Sequence, residues 1–326
     1  MKNLLSLTFV VSVVVAGTWT VQASQSDDQP KQKPDAKADE QVDSSEISES
    51  AARAQATLKT ARGKLIDHKS VRAQIIETVM IGNRRFRATG KYLQGTDLRL
   101  RLEYQIQVGS TKGYLLQVCD GEILWTHQTV GKLATVTRRN VREILNAAAS
   151  SGDIPQNLLV AELGLGGLPA LLASLERTMD FDTEKEETID GNVFIVIEGT
   201  WKSKFSKHWA DTNRQNPGII PEYVPDRVRI FLDQKNLFPH RILYLKKPAS
   251  KKVFRPMVAL DFTKVVLNAA TNPEEFSFAS PKGVQEQDIT QYYLQRLTAP
   301  KASEAKEASP SAQTPDKSTE TPKSDK

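Results

Sequence analysis

The chain has little of the chemistry that enzymes and metal proteins need. Only one cysteine, Cys119, occurs in 326 residues, so no intrachain disulfide can form and the fold must depend on buried apolar surface. No Gly-x-Ser-x-Gly elbow, His-Glu-x-x-His motif or P-loop is present, and the four histidines lack metal-ligand spacing. We therefore expect no enzyme activity, no metal and no cofactor.

Long apolar runs are also missing outside the amino terminus, which excludes a polytopic membrane protein. Residues 1–23 combine a basic start, an apolar stretch and small side chains before Ala23, which predicts a signal peptide. No cysteine is available there for the lipid of a lipoprotein. We expect a periplasmic or secreted product, cleaved between Ala23 and Ser24. A single membrane helix is the alternative.

Charge divides the remainder into three parts. Residues 24–49 carry a net charge of −5 and residues 299–326 a net charge of zero, whereas residues 50–298 carry +9. Both flanks lack large apolar side chains and are predicted to be a disordered acidic leader and a disordered tail. The basic middle is predicted to be one domain, with an inserted loop at 202–225. Its charge suits anionic lipid head groups or the leader itself, with a plain solvated surface as the alternative.

Alternating side chains dominate that domain. From 97 to 108, apolar residues alternate without a break with polar ones, which predicts a strand with one apolar face. Similar segments recur, and Asp120-Gly121 marks a hairpin turn. Helical spacing appears near 45–69, 141–149, 168–179 and 288–297. The pattern predicts a mainly β fold with some α: a single, strongly curved antiparallel sheet, or half-open β-barrel, with helices packed in or over its hollow.

Three motifs in order carry a family resemblance. They are the hairpin 120–125 (Asp-Gly-Glu-Ile-Leu-Trp), the segment 167–172 (Gly-Leu-Pro-Ala-Leu-Leu) and Phe276-Ser277-Phe278 followed by Pro-Lys-Gly-Val at 281–284. In these the chain resembles LolA-like lipoprotein carriers and LppX-type lipid-binding proteins. The resemblance implies a half-open barrel whose hollow holds acyl chains under a helical lid. An Arg-Pro corner usual in the carriers is absent at 92–97, and the 202–225 insertion is foreign to them.

Alternation and resemblance together predict a lipid-binding groove and a lid. Leu100, Leu102 and Tyr104 are expected to face the same cavity as Trp125, while Arg99, Arg101 and Glu103 face water. The alternative is that these apolar stripes simply complete the core. The predicted groove residues are Tyr92, Leu100, Leu102, Tyr104, Leu116, Trp125, Phe231 and Phe262, and the predicted lid residues are Leu165, Leu168, Leu171 and Leu172.

Two functions follow from this interpretation. The first is an exported, monomeric carrier or binding protein that transports lipid or lipoprotein acyl chains across the cell envelope, without nucleic acid as a partner. The alternative is a non-catalytic envelope regulator or scaffold that binds a partner protein, including envelope membrane proteins, through the same fold. Trp209 and Tyr223 in the insertion favour the alternative. A hydrolase would require a polar cluster inside the hollow.

The predicted cleavage of the signal peptide can be tested directly. Amino-terminal sequencing of the protein recovered after secretion is expected to begin at Ser24, because the small-residue exit of the signal lies at Ala23. An intact Met1 in a membrane fraction would instead indicate an uncleaved anchor.

Overall fold

Twelve strands form one sheet in the computed structural model, which describes residues 44–81, 84–108, 111–151, 166–213, 216–248 and 253–298. Consecutive hairpins account for most of the pairing. The strands are β1 (Ser70–Ile81), β2 (Arg84–Gly95), β3 (Leu100–Val108), β4 (Thr111–Cys119), β5 (Ile123–Val130), β6 (Leu133–Asn140), β7 (Met179–Ile189), β8 (Asn192–Trp201), β9 (Arg227–Asp233), β10 (Pro239–Lys246), β11 (Arg255–Leu267) and β12 (Glu286–Asp288).

The sheet is open, as predicted. Its order is β12-β6-β5-β4-β3-β2-β1-β11-β10-β9-β8-β7, so β12 and β7 form two separate edges. Neighbours are antiparallel except β12 and β6, which pair in parallel and make the sheet mixed rather than purely antiparallel. Register shifts interrupt the pairings β1–β11, β9–β10, β10–β11 and β7–β8. Such bulges bend strands and support the curvature of a half-barrel.

Five α-helices accompany the described strands. They are α1 (Ser44–Asp67), α2 (Val141–Ser151), α3 (Gly167–Thr178), α4 (Ser203–Thr212) and α5 (Thr290–Thr298), with a 3₁₀ turn at Pro273–Phe276. Helix α1 confirms the helical spacing predicted near 45–69, and its first residues overlap the predicted leader at 24–49. Helix α4 differs from the prediction, because it lies inside the predicted loop at 202–225. Among the described residues, no helix combines the length and apolarity needed to cross a membrane.

The core lies between the sheet and helices α1 and α3. Helix α1 buries Ala54, Leu58, Ala61 and Leu65, which recur every three or four residues, and it packs against α3 and β7. We call the helix-covered side of the sheet the inner face and the opposite side the outer face. Residues directly opposite each other on paired strands share a face, so the register assigns every strand residue to one of them.

The turns show where the alternating pattern ends. Strand β3 begins at Leu100, because Asp97 and Leu98 have φ angles of 55° and 65° and form the β2–β3 turn instead of the predicted strand start. The predicted Asp120-Gly121 turn is confirmed. Asp120 Oδ1 accepts hydrogen bonds from the backbone N–H groups of Glu122 and Ile123, each at 2.8 Å, and Gly121 has φ 106°. Glycine tolerates that angle because it has no Cβ.

A strap formed by residues 268–288 crosses the outer face. It leaves β11 beside β1, where Asn268 N–H donates to the Ser70 carbonyl, and ends in β12 against β6. Arg72 donates to both carboxylate oxygens of Glu275 at 2.9 and 3.2 Å. Phe276, 1% exposed, packs against Gly95, and Phe278 stacks on Trp125 with ring centroids 5.8 Å apart. The Phe-Ser-Phe motif therefore anchors the strap.

Truncating the strap's buried anchor tests this role. Phe276→Ala is expected to lower the free energy of unfolding by about 3–5 kcal/mol, because the cavity left under the strap cannot refill completely. Leu133→Ala, at a side chain 63% exposed, serves as control and should change stability by less than about 0.5 kcal/mol. Denaturant unfolding measures both. Equal changes in the unfolding free energy of the two variants would mean that Phe276 does not anchor the strap.

Candidate functional site

Five of the predicted groove residues line the inner face, where they form a continuous apolar surface. Leu102 stands opposite Tyr92, and Phe262 stands opposite Ile75 on β1. The rings of Tyr92 and Phe262 meet edge to face at 6.0 Å between centroids. All five side chains are buried in the shared core: Tyr92, Leu100, Leu102, Tyr104 and Phe262.

The other three predicted groove residues lie on the outer face, so their placement was wrong. Leu116 stands opposite Glu103. Trp125 stands opposite Val118, which in turn faces Arg101. Phe231 follows the core residue Ile230 in β9 and therefore points the other way.

The reason for the error is that outer-face positions on these strands are also apolar and buried. Alternation within one strand relates its residues to each other, but only the hydrogen-bonded register relates one strand to the next. The prediction for Arg101 also changes. Its side chain is on the outer face as expected, but it lies under the strap and donates to the carbonyls of Glu275 and Ser277 at 3.5 and 3.4 Å.

Helices cover the inner face of the sheet, where the sequence predicted a hollow. Leu168 and Leu172 of α3, predicted lid residues, are 3% and 0% exposed and belong to the same core as the groove residues. Leu171 packs against that core and is partly buried. Leu165 lies outside the described residues. The helix thus covers the inner face, and its role as a movable lid stays a prediction.

A tyrosine fixes the start of α3 to the sheet. The Tyr92 hydroxyl accepts a hydrogen bond from the Leu168 backbone N–H at 3.0 Å and donates to Gln94 Oε1. Gly167 has φ 51°, and a Cβ there would lie 2.0 Å from the Tyr92 oxygen. Only glycine allows this close approach. Burial raises the pKa of Tyr92, so its hydroxyl stays protonated and available as a donor.

Sequence reasoning missed a carboxyl group on the inner face. Glu77 lies in β1 at a position where Ala73 and Ile75 are apolar, and it is 4% exposed. The Tyr104 hydroxyl donates to it, while Glu77 Oε1 has no hydrogen-bond partner in the described part of the chain. Burial raises the pKa of Glu77 to about 7, and the hydrogen bond from Tyr104 offsets part of that rise. A charged residue within an apolar alternation was the available signal.

Two further polar side chains lie unsatisfied on the same face. Gln117 stands opposite both Leu102 and Thr126, and it is 0% exposed. Among the described residues, neither amide atom of Gln117 has a hydrogen-bond partner, and neither does the Thr126 hydroxyl. Leaving such groups unpaired costs about 1–3 kcal/mol each. The inner face therefore combines a large apolar area with unused hydrogen-bonding groups.

Two cavities lie at the end of the sheet that carries the β2–β3 turn. One, of about 320 Å³, is polar and is lined by Asp97, Arg99, Arg142 and the 120–122 turn. The other, of about 200 Å³, lies between that turn and the start of α3, with Ile66, Leu98 and Pro169 in its wall. Arg142 Nε donates to the Gly121 carbonyl at 2.8 Å and joins α2 to the β4–β5 turn. The second cavity adjoins the inner face where α3 begins.

Histidine, cysteine and acidic side chains are dispersed over the described part of the chain. No group of three or more histidine, cysteine or acidic residues there could hold a metal ion. Cys119 is buried, and burial raises the pKa of its thiol to about 11, which disfavours a reactive thiolate. The inner face offers apolar contact and hydrogen bonding.

Titration of Glu77 gives a pH test. Because its folded pKa of about 7 exceeds the usual 4.5, the folded protein holds this proton more tightly than the unfolded chain. Stability from this group is complete below pH 4.5 and falls by roughly 3 kcal/mol as the pH rises to 7. Glu77→Gln should remove that fall, as measured by denaturant unfolding across the pH range. Parallel wild-type and variant curves would contradict the assignment.

Similarity between this chain and known proteins is seen at the level of solved structures. No protein-family model and no curated protein matches the chain. The structure is similar to the Pseudomonas aeruginosa MucA/MucB complex at 10% identity and a TM-score of 0.35, covering 70% of this chain and 61% of that one. It is also similar to lipoprotein LppX of Mycobacterium tuberculosis (11%, TM-score 0.34, 68% and 98%) and to LprF of Mycobacterium bovis (11%, TM-score 0.36, 68% and 95%). The chain spans 60–64% of the length of the MucB chains it matches.

Proposed function

We propose that this protein is an exported, non-enzymatic carrier that holds acyl chains of a lipid or lipoprotein against the inner face of its sheet. The observation that carries the proposal is the apolar inner surface around Tyr92, Leu102 and Phe262, covered by helices α1 and α3 rather than by a second sheet. Helix α3, of 12 residues, is a cover that can be displaced as one body.

Displacement of α3 has a modest energetic cost when an acyl chain takes its place. The helix buries Leu168, Leu172 and Leu175 against the core. Each methylene of an incoming chain contributes about 0.8 kcal/mol on leaving water, so the ligand replaces the apolar burial that the helix loses. Gly166 and Gly167, with φ angles of 82° and 51°, provide a hinge at the start of α3.

The unsatisfied polar groups favour an amphiphile over a pure hydrocarbon. Gln117 and Thr126 offer donors to ester or amide oxygens, and Glu77 offers an acceptor for a hydroxyl or amine. In a site otherwise lined by apolar groups, such partners orient a ligand. A lipid carrying a hydrogen-bonding group next to its acyl chains matches this arrangement.

A partner-binding role is the second candidate, and the 202–225 insertion favours it. Ile219 and Tyr223 are 63% and 56% exposed there, so the insertion offers two large apolar side chains to a partner. Trp209 packs edge to face on Trp201, which keeps the insertion attached to β8. If the insertion binds a protein, Ile219→Ser should abolish that interaction without affecting lipid binding.

Removing the hydrogen bond that seats α3 tests the carrier proposal. Tyr92→Phe should accelerate uptake of a fluorescent fatty-acyl probe by roughly 2- to 10-fold, since a hydrogen bond contributes about 0.5–1.5 kcal/mol. Tyr114→Phe is the matched control, because it removes a tyrosine hydrogen bond to Glu103 on the outer face, and it should leave uptake unchanged.

Two measurements accompany the probe assay. Circular dichroism checks that both variants are folded, and native mass spectrometry of the exported wild-type protein looks for copurified lipid. A folded wild-type protein that binds no acyl probe and carries no lipid would refute the carrier proposal and leave the partner-binding role.

A further inference from the structure

Strand direction brings four turns to the same end of the sheet. The β1–β2, β3–β4, β5–β6 and β10–β11 connections all lie there, because β1 runs antiparallel to both β2 and β11 and the hairpins follow in order. They span seven strand steps from β6 to β10, or roughly 34 Å along the sheet at about 4.8 Å per step. We call the described residues at these turns the basic rim.

Exposed cations concentrate on the basic rim. Arg84, Arg85 and Arg87 begin β2, Lys112 begins β4, and the turns also carry Lys132 and Arg255. All six side chains are exposed, and none of them forms an ion pair within the described residues. The neighbouring insertion adds exposed Lys204 and Lys207 but also exposed Asp211 and Glu222, so it does not change the net charge.

Large apolar side chains protrude beside these cations. Val130 and Leu133 flank the β5–β6 turn and are 50% and 63% exposed, and Val253 before β11 is 70% exposed. Apolar side chains at the tips of turns, surrounded by lysine and arginine, match the interface of a bilayer. The cations meet anionic head groups there, and the apolar tips enter the acyl boundary.

The opposite end of the sheet has a different charge. Its β2–β3, β4–β5 and β7–β8 turns expose Asp97, Asp120, Glu122 and Asp190. An anionic surface repels these carboxylates and attracts the basic rim, so the charge distribution selects one orientation of the molecule. Exposed Lys69 and Lys235 lie at this acidic end and provide matched control positions.

We propose that the basic rim docks the protein on an anionic lipid bilayer, with Val130 and Leu133 entering the head-group region and the acidic end directed away from it. The partner is the anionic lipid surface itself. This docking does not depend on what the inner face holds, so it can fail or succeed independently of the carrier role.

Cosedimentation with vesicles tests the docking. The exported protein is mixed with phosphatidylcholine vesicles that contain or lack phosphatidylglycerol, at low and high salt. We expect binding only to the anionic vesicles and its loss at high salt, because salt shortens the range of the attraction. Arg85→Glu with Arg87→Glu should weaken binding at least about ten-fold, since each basic side chain near such a surface contributes about 1 kcal/mol.

Lys69→Glu with Lys235→Glu is the matched control, since it makes the same change of net charge at the acidic end. It should retain most of the binding, and Leu133→Ser should reduce binding without altering its salt dependence. Thermal unfolding verifies that each variant is folded. Equal losses in the two charge variants would show that net charge alone acts, and an absence of wild-type binding to anionic vesicles would exclude the bilayer as partner. Either result overturns the proposal.

Discussion

The structure depends on covering a single open sheet on both faces. A sheet of twelve strands with two free edges has no second sheet to pack against, so its apolar residues need helices or loops over them. Helices α1 and α3 cover the inner face, and the strap at 268–288 covers part of the outer face. Each cover is held by specific contacts, of which the Tyr92–Leu168 hydrogen bond at α3 and the packing of the strap's Phe276 against Gly95 are the clearest.

The two covers differ in the way they are held. The strap combines a buried phenylalanine, a stacked ring pair, a salt bridge and a strand pairing, so its release would break several interactions together. Helix α3 is held by apolar burial, by the hydrogen bond from its Leu168 backbone to Tyr92, by an Arg62–Glu176 ion pair at 2.9 Å and by Lys202, which donates to the Glu176 carbonyl at 2.9 Å. On the inner face, Glu77, Gln117 and Thr126 carry polar atoms without partners among the described residues. These polar groups make the inner face the better candidate for a ligand.

The two ends of the sheet differ in the charge of their exposed side chains. Exposed cations and apolar tips gather at the end where β1 meets β2, whereas carboxylates occupy the turns at Asp97, Asp120 and Asp190. The inner face lies between these two ends of the sheet. A protein that docks by its basic rim would present the second cavity, beside Ile66 and Pro169, away from the surface.

Local sequence patterns are sufficient to predict the class of fold and the arrangement of side chains within each strand. Period-two alternation from Leu100 to Val108 assigned Leu102 and Tyr104 to one side and Arg101 to the other, because side chains of a strand must alternate. The Asp120-Gly121 turn was equally local, since its geometry depends on neighbouring residues. Helical spacing similarly located α2 and α3 to within a few residues.

Which apolar residues share a face depends on how the strands pair. The sequence pattern assigns Trp125 and Phe231 to the groove, but the pairing register turns them outward, because register arises from contacts between strands that no single segment encodes. Glu77 was overlooked because its burial depends on how the helices and strands assemble around it. The gathering of the basic rim has the same origin: Arg85, Lys132 and Arg255 are far apart in the chain, and antiparallel pairing alone brings their turns to one end of the sheet.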